Sequence, residues 1–281
     1  GVPEEDWPPV AVDNEPPERW SATWMYRNGD FDWWSSPRQD FRVVGGYDRL
    51  LGPLADGPHI ALDSPVRRIR LWGSSTPEVE LTVSGRGGDR RVRARRCVVA
   101  LPIGVLRGGA VSFDPVLPVD HREALGALRA TDVLKLHYEF DRPVFPEDRD
   151  TLGGEDEGPV VWCVSRDPQI VVVWAAGDRA REFLALPHDE RFGRGLEVLG
   201  EAVGEKVPAP VRRTTHDWSA DEFSRGAYLY VPPGAHDAPA ALASPVRRTL
   251  FFAGEAVVGE NTVDGAYDNG YVVTDDLMAD L

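Results

Sequence analysis

Leu250-Phe-Phe-Ala-Gly-Glu255, followed by Thr262-Val-Asp-Gly-Ala-Tyr-Asp-Asn-Gly270 and an apolar-periodic run to Leu281, decides the fold. It reads as a buried strand that reaches a small Gly254, then Glu255, a loop, and a helix whose first turn contains Gly265 and Ala266. A helix N-terminus carries unpaired N–H donors and about half a positive charge. Small residues there let a flat or anionic cofactor approach the backbone closely. The tail is therefore read as one edge of a cofactor site.

The composition narrows the rest. With 281 residues the chain can bury a large core, as one or two domains. A net charge of −15 argues against nucleic acid and anionic membranes as partners. No apolar run approaches the roughly 20 residues that span a bilayer. Cys97 and Cys163 lie in apolar strand-like runs, and two buried free thiols in a reducing, cytoplasmic compartment are expected. His59, His137, His188, His216 and His236 have no metal-ligand spacing, and are read as surface or satisfied core groups; no metal is expected.

Working outward, residues 1–20 are rich in Pro and acids and read as irregular. Trp20, Trp24, Tyr26, Phe31, Trp33 and Trp34 form an aromatic cluster suited to core or interface. Val43 to Leu51 reads as a Gly-initiated helix. Ile60 to Trp72 reads as extended with a Pro break, and Val79–Val83 with Arg91–Val99 as a β-hairpin. Val133–Phe140, Val160–Val164 and Ile170–Trp174 have strand character. Asp189–Val203 has helical spacing, with Phe192, Leu196, Leu199 and Val203 on one face. Residues 153–158 form a solvated loop.

The tail closely resembles the C-terminal signature of the FAD-dependent amine oxidases, which include monoamine, polyamine and L-amino acid oxidases and lysine-demethylase-like enzymes. The Val-Gly-Gly helix, the Val66-x-x-Ile69 strand, the hairpin, Leu101-Pro-Ile-Gly-Val-Leu106, the Lys135 strand, Trp218…Gly226-Ala-Tyr228 and the tail follow that family's order over roughly residues 41–281. The resemblance implies a mixed α/β fold, the amine oxidase fold without its N-terminal Rossmann βαβ unit. It divides the chain into an N-terminal aromatic segment (1–40) on the substrate side, an FAD-binding part (41–107), a substrate-binding domain with a mixed sheet (108–246) and a C-terminal FAD-binding strand and helix (247–281). The Gly-x-Gly-x-x-Gly turn that holds the FAD pyrophosphate in such enzymes does not occur here. Gly85-Arg-Gly-Gly88 reads as a turn.

Residue by residue, the resemblance implies the following site. Lys135, one of only two lysines among 31 basic residues, matches the lysine that holds a water beside the flavin; the alternative is a lysine on the polar face of an edge strand. Trp218 matches a Trp near the flavin, and Tyr228 one wall of an aromatic slot for the amine. Many members have a second aromatic where this chain has Thr262, so the slot is expected to be half-open. Gly254 and Glu255 match the ribose-binding turn, Thr262, Val263 and Gly265 the helix start that meets the flavin ring, and Val66 the residue whose backbone pairs with adenine. No Cys lies near the tail, so FAD is expected to be non-covalent.

The expected function is the C-terminal chain of a flavin-dependent amine or amino acid oxidase. It would convert a C–N bond to an imine and reduce O₂ to H₂O₂. The pyrophosphate must then be held by other residues, in a protein partner or in a cleaved N-terminal portion, as a start at Gly1 also suggests. The rival reading is a flavin-free binding or scaffolding protein built on the same fold.

Overall fold

A computed structural model describes residues 15, 19–27, 43–73, 78–153, 159–258 and 261–279. Phe31, Trp33, Trp34, the Tyr26 side chain, most of the Pro-rich start and residues 154–158 of the acidic loop lie outside the described residues. In chain order the elements are α1 (Ala22–Arg27), α2 (Asp48–Ala55), β1 (Val66–Trp72), β2 (Glu78–Val83), β3 (Arg90–Ala94), β4 (Cys97–Val99), α3 (Ile103–Arg107), β5 (Ser112–Asp114), α4 (Val119–Ala127) and β6 (Arg129–Ala130). There follow β7 (Val133–Phe140), β8 (Thr151–Gly153), β9 (Val160–Arg166), β10 (Gln169–Ala176), α5 (Gly177–Leu184), α6 (His188–Val203), β11 (Arg212–Thr214), β12 (Leu229–Tyr230), α7 (Ala238–Ala243), β13 (Leu250–Phe252) and α8 (Val263–Ala279). None of the described helices is long and apolar enough to cross a membrane.

The larger sheet is antiparallel, in the order β11-β7-β10-β9-β8. Period-2 alternation gives it one wholly apolar face. Leu134, Leu136, Tyr138 and Phe140 of β7 lie with Val171 and Val173 of β10 and with Val161 and Cys163 of β9. Helix α6 covers this face with Phe192, Val198 and Leu199, in line with its predicted periodicity. The Tyr138 hydroxyl, wholly buried, donates to the Phe192 carbonyl at 2.9 Å and so fastens the helix to the sheet. Lys135, His137 and Glu139 alternate onto the other face.

A second sheet, β3-β2-β1-β5, and the parallel pair β13-β4 build the other core. The hairpin forms as expected over β2 and β3, but its second arm is shorter than the sequence suggested. Arg95 and Arg96 interrupt it, and Cys97–Val99 leaves to pair in parallel with Leu250–Phe252. The tail's apolar run offers three buried positions, which a solvent-facing hairpin arm cannot. Arg96 donates to the Leu277 carbonyl, satisfying a group in the last turn of α8. This core also crosses the boundary expected at 107/108. β5 pairs with β1, and Leu117, Leu128, Leu229 and Leu242 join Ile69 and Phe252. Two further bounds move: the helix expected from Val43 begins at Asp48, after Gly45 and Gly46 turn with positive φ, and the extended run from Ile60 becomes strand only after Pro65.

The N-terminal segment is tied down by charge. Glu15, 1% exposed, accepts from Arg181 at 2.9 Å with each oxygen, from Arg19 at 2.8 Å and from the Thr131 hydroxyl at 2.9 Å. Arg181 also pairs with Asp132 and Asp178. Burial pushes the Glu15 carboxyl up, but the bonds from Arg181, Arg19 and Thr131 outweigh it and hold the group below the ordinary glutamate range. Trp20 and Met25 pack beside Tyr230 next to this network.

Two consequences are measurable. Tyr138→Phe leaves the Phe192 carbonyl without that donor, and should cost about 1–2 kcal/mol in urea unfolding; an unchanged midpoint would mean that the bond contributes nothing. Because the folded Glu15 pKa lies below the unfolded one, its stabilisation is complete above the unfolded value and is lost as pH falls through the folded value. Glu15→Gln should therefore flatten the fall in Tm below about pH 4.3, read by thermal melts across acid pH.

Candidate functional site

β7 presents Lys135 from the face that α6 does not cover. Across the ladder it pairs with Trp174, and its carbonyl accepts the Thr215 hydroxyl at 2.8 Å. The side chain is open to solvent, yet the protein around it displaces enough water to hold the ammonium pKa below the usual lysine value. Trp174 stacks on Trp162 of β9 at 5.6 Å between centroids, a pair that the sequence reading did not single out.

The segment after β11 folds back over the start of β7. Asp217 and Asp221 accept from the backbone N–H groups of Ala220 (3.0 Å) and Phe223 (2.8 Å), forming two tight local turns. The segment is pressed in by two glycines. A Cβ at Gly104 would overlap the Arg225 carbonyl, and one at Gly226 (φ 133°) would meet the Ala130 Cβ at 2.6 Å. Trp218 is exposed, with the His216 ring edge-on at 4.3 Å and His216 in turn 3.2 Å from Asp221. Ala227 donates to the Thr131 carbonyl and Thr131 to the Tyr228 carbonyl, both at 2.9 Å, which sets Tyr228 beside the strand that carries Lys135.

The tail meets this segment directly. Gly254 (φ 91°) ends the turn after β13, and its N–H donates to the Asn269 side chain of α8 at 2.9 Å. Glu255 Oε2 accepts the Leu229 N–H at 2.9 Å, and Asn261 donates to the Leu229 carbonyl at 2.5 Å. Glu255 Oε1 is buried with no partner in the protein. Burial raises the carboxyl pKa, against the bond from the Leu229 N–H and a weaker pull from the Ile103 backbone. An unpaired buried acceptor costs about 1–3 kcal/mol, so Oε1 is suited to a hydroxyl donor from a ligand. Thr262 caps α8 through its hydroxyl, which accepts from Gly265 N–H at 3.1 Å, and Val263 is exposed at the helix start.

Val66 stands apart from these groups. It lines a cavity of about 300 Å³, mainly apolar, together with Cys97, Val99, Ala100, Leu101 and Phe223. Burial pushes the Cys97 thiol up to about 11, so it is an unreactive wall, and neither cysteine is in a disulfide. Arg67 joins this wall to the Trp218 segment through Glu222 at 2.8 Å. The donor and acceptor set fits a flavin nucleotide: an orphaned carboxylate oxygen, a capped helix start and an apolar recess.

Hydrogen bonds thus link Glu255 to Leu229 beside Tyr228, Gly254 to Asn269 of α8, and Thr262 to Gly265; Lys135 and Trp218 lie on the neighbouring strand and segment, and Val66 lines a separate recess. His137, expected to be a surface or satisfied core group, is half-buried on the Lys135 face of β7, and its Nδ1, like that of His121, is enclosed without a partner. Alternation along β7 was the signal that could have placed it beside Lys135. Asn261 had no such signal. Among the described residues no group of His, Cys, Asp and Glu could hold a metal ion.

Known proteins resemble this chain in sequence and in fold. Lysine-specific histone demethylase 1 homolog 1 of Oryza sativa subsp. japonica is 32% identical over 82% of this chain and 28% of its own length. Human lysine-specific histone demethylase 2 is 29% identical over 81% of this chain and 29% of its own. Wild-type putrescine oxidase bound to putrescine superposes with a TM-score of 0.70 at 26% identity, over 83% of this chain and 51% of that one. The chain therefore spans less than a third of these demethylases and about half of the oxidase. The profile of the family described as flavin containing amine oxidoreductase matches residues 26–278. Agreement in sequence along nearly the whole chain, on the same mixed α/β fold, makes this chain a member of the flavin containing amine oxidoreductase family.

Proposed function

We propose that this chain is the C-terminal part of an FAD-dependent amine or amino acid oxidase, which oxidises a C–N bond to an imine and passes the electrons to O₂ to give H₂O₂. The observation that carries the reading is Glu255, whose Oε2 holds the backbone next to Tyr228 while Oε1 waits for a donor. A bound flavin would supply the two-electron acceptor. Glu255 would take a ribose hydroxyl, with Gly254 keeping the turn open. Thr262, Val263 and Gly265 would meet the ring with backbone N–H groups, and the Val66 backbone the adenine, all without a covalent link.

Trp218 and Tyr228 would orient the amine through their π-faces, and Lys135 would hold a water at the reacting end. The match to an oxidase solved with putrescine favours an aliphatic amine as substrate class. Residues holding the pyrophosphate lie outside this sequence, in a partner chain or another part of the same protein. The free thiols fit a reducing, cytoplasmic setting. If the complete complex, purified with its natural partners, shows no visible flavin absorbance, the oxidase reading falls to a flavin-free scaffold.

Lys135→Met should leave FAD bound and slow flavin reduction or reoxidation about 10²-fold or more, measured by stopped-flow absorbance; unchanged kinetics would take Lys135 out of the mechanism. Glu255→Ala should weaken FAD about tenfold to a hundredfold, the worth of a charged hydrogen bond. Flavin fluorescence titration would read this, and equal affinity would remove Glu255 from the cofactor site.

A further inference from the structure

The sheet β3-β2-β1-β5 turns a charged face to solvent, away from the groups described above. Residues 64–97 hold nine arginines and three acidic residues in a chain of net charge −15, so basic charge is gathered on one sheet while the remainder is acidic. Register sets the pattern. Arg68 of β1 lies between Ser112 of β5 and Thr82 of β2, and Thr82 lies against Arg91 of β3. In the next row Arg70 lies between Asp114 and Glu80, and Glu80 lies against Arg93. Glu78 pairs in register with Trp72 at the end of the array. Period-2 alternation puts these side chains on the face opposite Ile69, Leu71 and Val79, which enter the core.

In the two rows four guanidiniums share two carboxylates. Asp114 pairs with Arg68 at 2.6 Å and Arg70 at 3.5 Å, and Glu80 with Arg93 at 2.9 Å and Arg91 at 3.8 Å. Glu80 is buried, whereas the four arginine side chains are 52–73% exposed. Arg93 also lies over the Trp72 ring at 5.0 Å. Guanidiniums held in this way lose less freedom when they engage a further carboxylate.

β3 is also an edge strand: among the described residues it pairs only with β2. One row of its backbone N–H and C=O groups therefore has no strand partner. Arginines on an edge bar pairing with a second copy, because a two-fold axis would bring like charges together. The same arginines favour a strand that brings carboxylates.

We propose that β3 is a docking edge for an extended acidic segment of a partner protein, which adds to the sheet as a further strand and sets its Asp or Glu side chains against Arg91 and Arg93. Main-chain bonds give such a contact its affinity, and alternate side chains its selectivity. A short segment suits this chain better than a duplex or an anionic membrane. Charges act over about 8 Å at physiological salt. A peptide on β3 meets the basic sheet alone, whereas a larger polyanion also meets the acidic remainder. This docking does not depend on the amine-oxidising reading.

The test uses the whole chain and needs no flavin. A fluorescein-labelled peptide of about ten residues, alternating Glu and Val, is titrated by fluorescence anisotropy at about 50 mM salt. Binding should be micromolar and weaken about tenfold at about 300 mM salt. Arg91→Glu should weaken it about tenfold or more. Arg91 makes the longest of the four pairs, so the variant leaves Arg93 on Glu80. Amide NMR shifts in the wild-type chain, which need no variant, should centre on Arg90–Ala94. No binding at low salt, shifts centred elsewhere, or full affinity in a folded Arg91→Glu overturns the proposal. Equal binding of a peptide with its Glu and Val in two blocks overturns strand addition. Tighter binding of duplex DNA or of phosphatidylserine vesicles overturns the acidic-segment partner.

Discussion

One carboxylate oxygen ties the site together. Glu255 Oε2 accepts the Leu229 amide, and this bond joins the tail strand and helix to the segment carrying Trp218 and Tyr228. Asn261 holds the other side of the same residue through its carbonyl. Leu229 is itself buried in the core that contains Phe252 and Leu250. The turn at Gly254 and Glu255 and the segment carrying Tyr228 are therefore tied to each other. The cost is a second oxygen buried without a donor, and that unsatisfied group is what makes the junction receptive to a hydroxyl-bearing ligand.

Around this junction the fold works by close approach more than by polar bonding. Gly104 and Gly226 let two backbones touch where any side chain would force them apart, and so press the Trp218 segment against the start of β7. The larger sheet divides its labour by alternation. One face is sealed by α6, and the other keeps Lys135, His137 and the two stacked indoles available. At the start of the same strand, Thr131 and Asp132 take part in the Glu15–Arg181 network, so the N-terminal segment is anchored a few residues from Lys135. The N-terminal segment is thus tied to the start of β7, and the tail to Leu229.

Much of this was legible in the sequence. The strong period-2 run around Lys135 and the 3.6-residue period of α6 each required one apolar face, and both elements form where the patterns put them. The tail's Leu-Phe-Phe-Ala-Gly-Glu string specified a buried strand ending at a glycine turn, and the family order of motifs pointed to the fold. These readings succeed because burial periodicity and the small residues of tight turns are local properties.

Pairing partners and unsatisfied atoms are not local. Nothing in Arg91–Val99 says that the strand breaks at Arg95 and that Cys97–Val99 joins a segment some 150 residues later; that followed from which apolar run could be buried on both faces. Nor could the sequence say that His137 and Glu255 would each keep one polar atom without a partner, since satisfaction depends on every neighbour in space. The sequence by itself determined the family, the strand of Lys135 and the buried tail strand that ends at Gly254. Tertiary structure decided which of those groups meet and which are left with unused hydrogen-bonding capacity, because hydrogen bonds and desolvation are settled only when distant segments close around them.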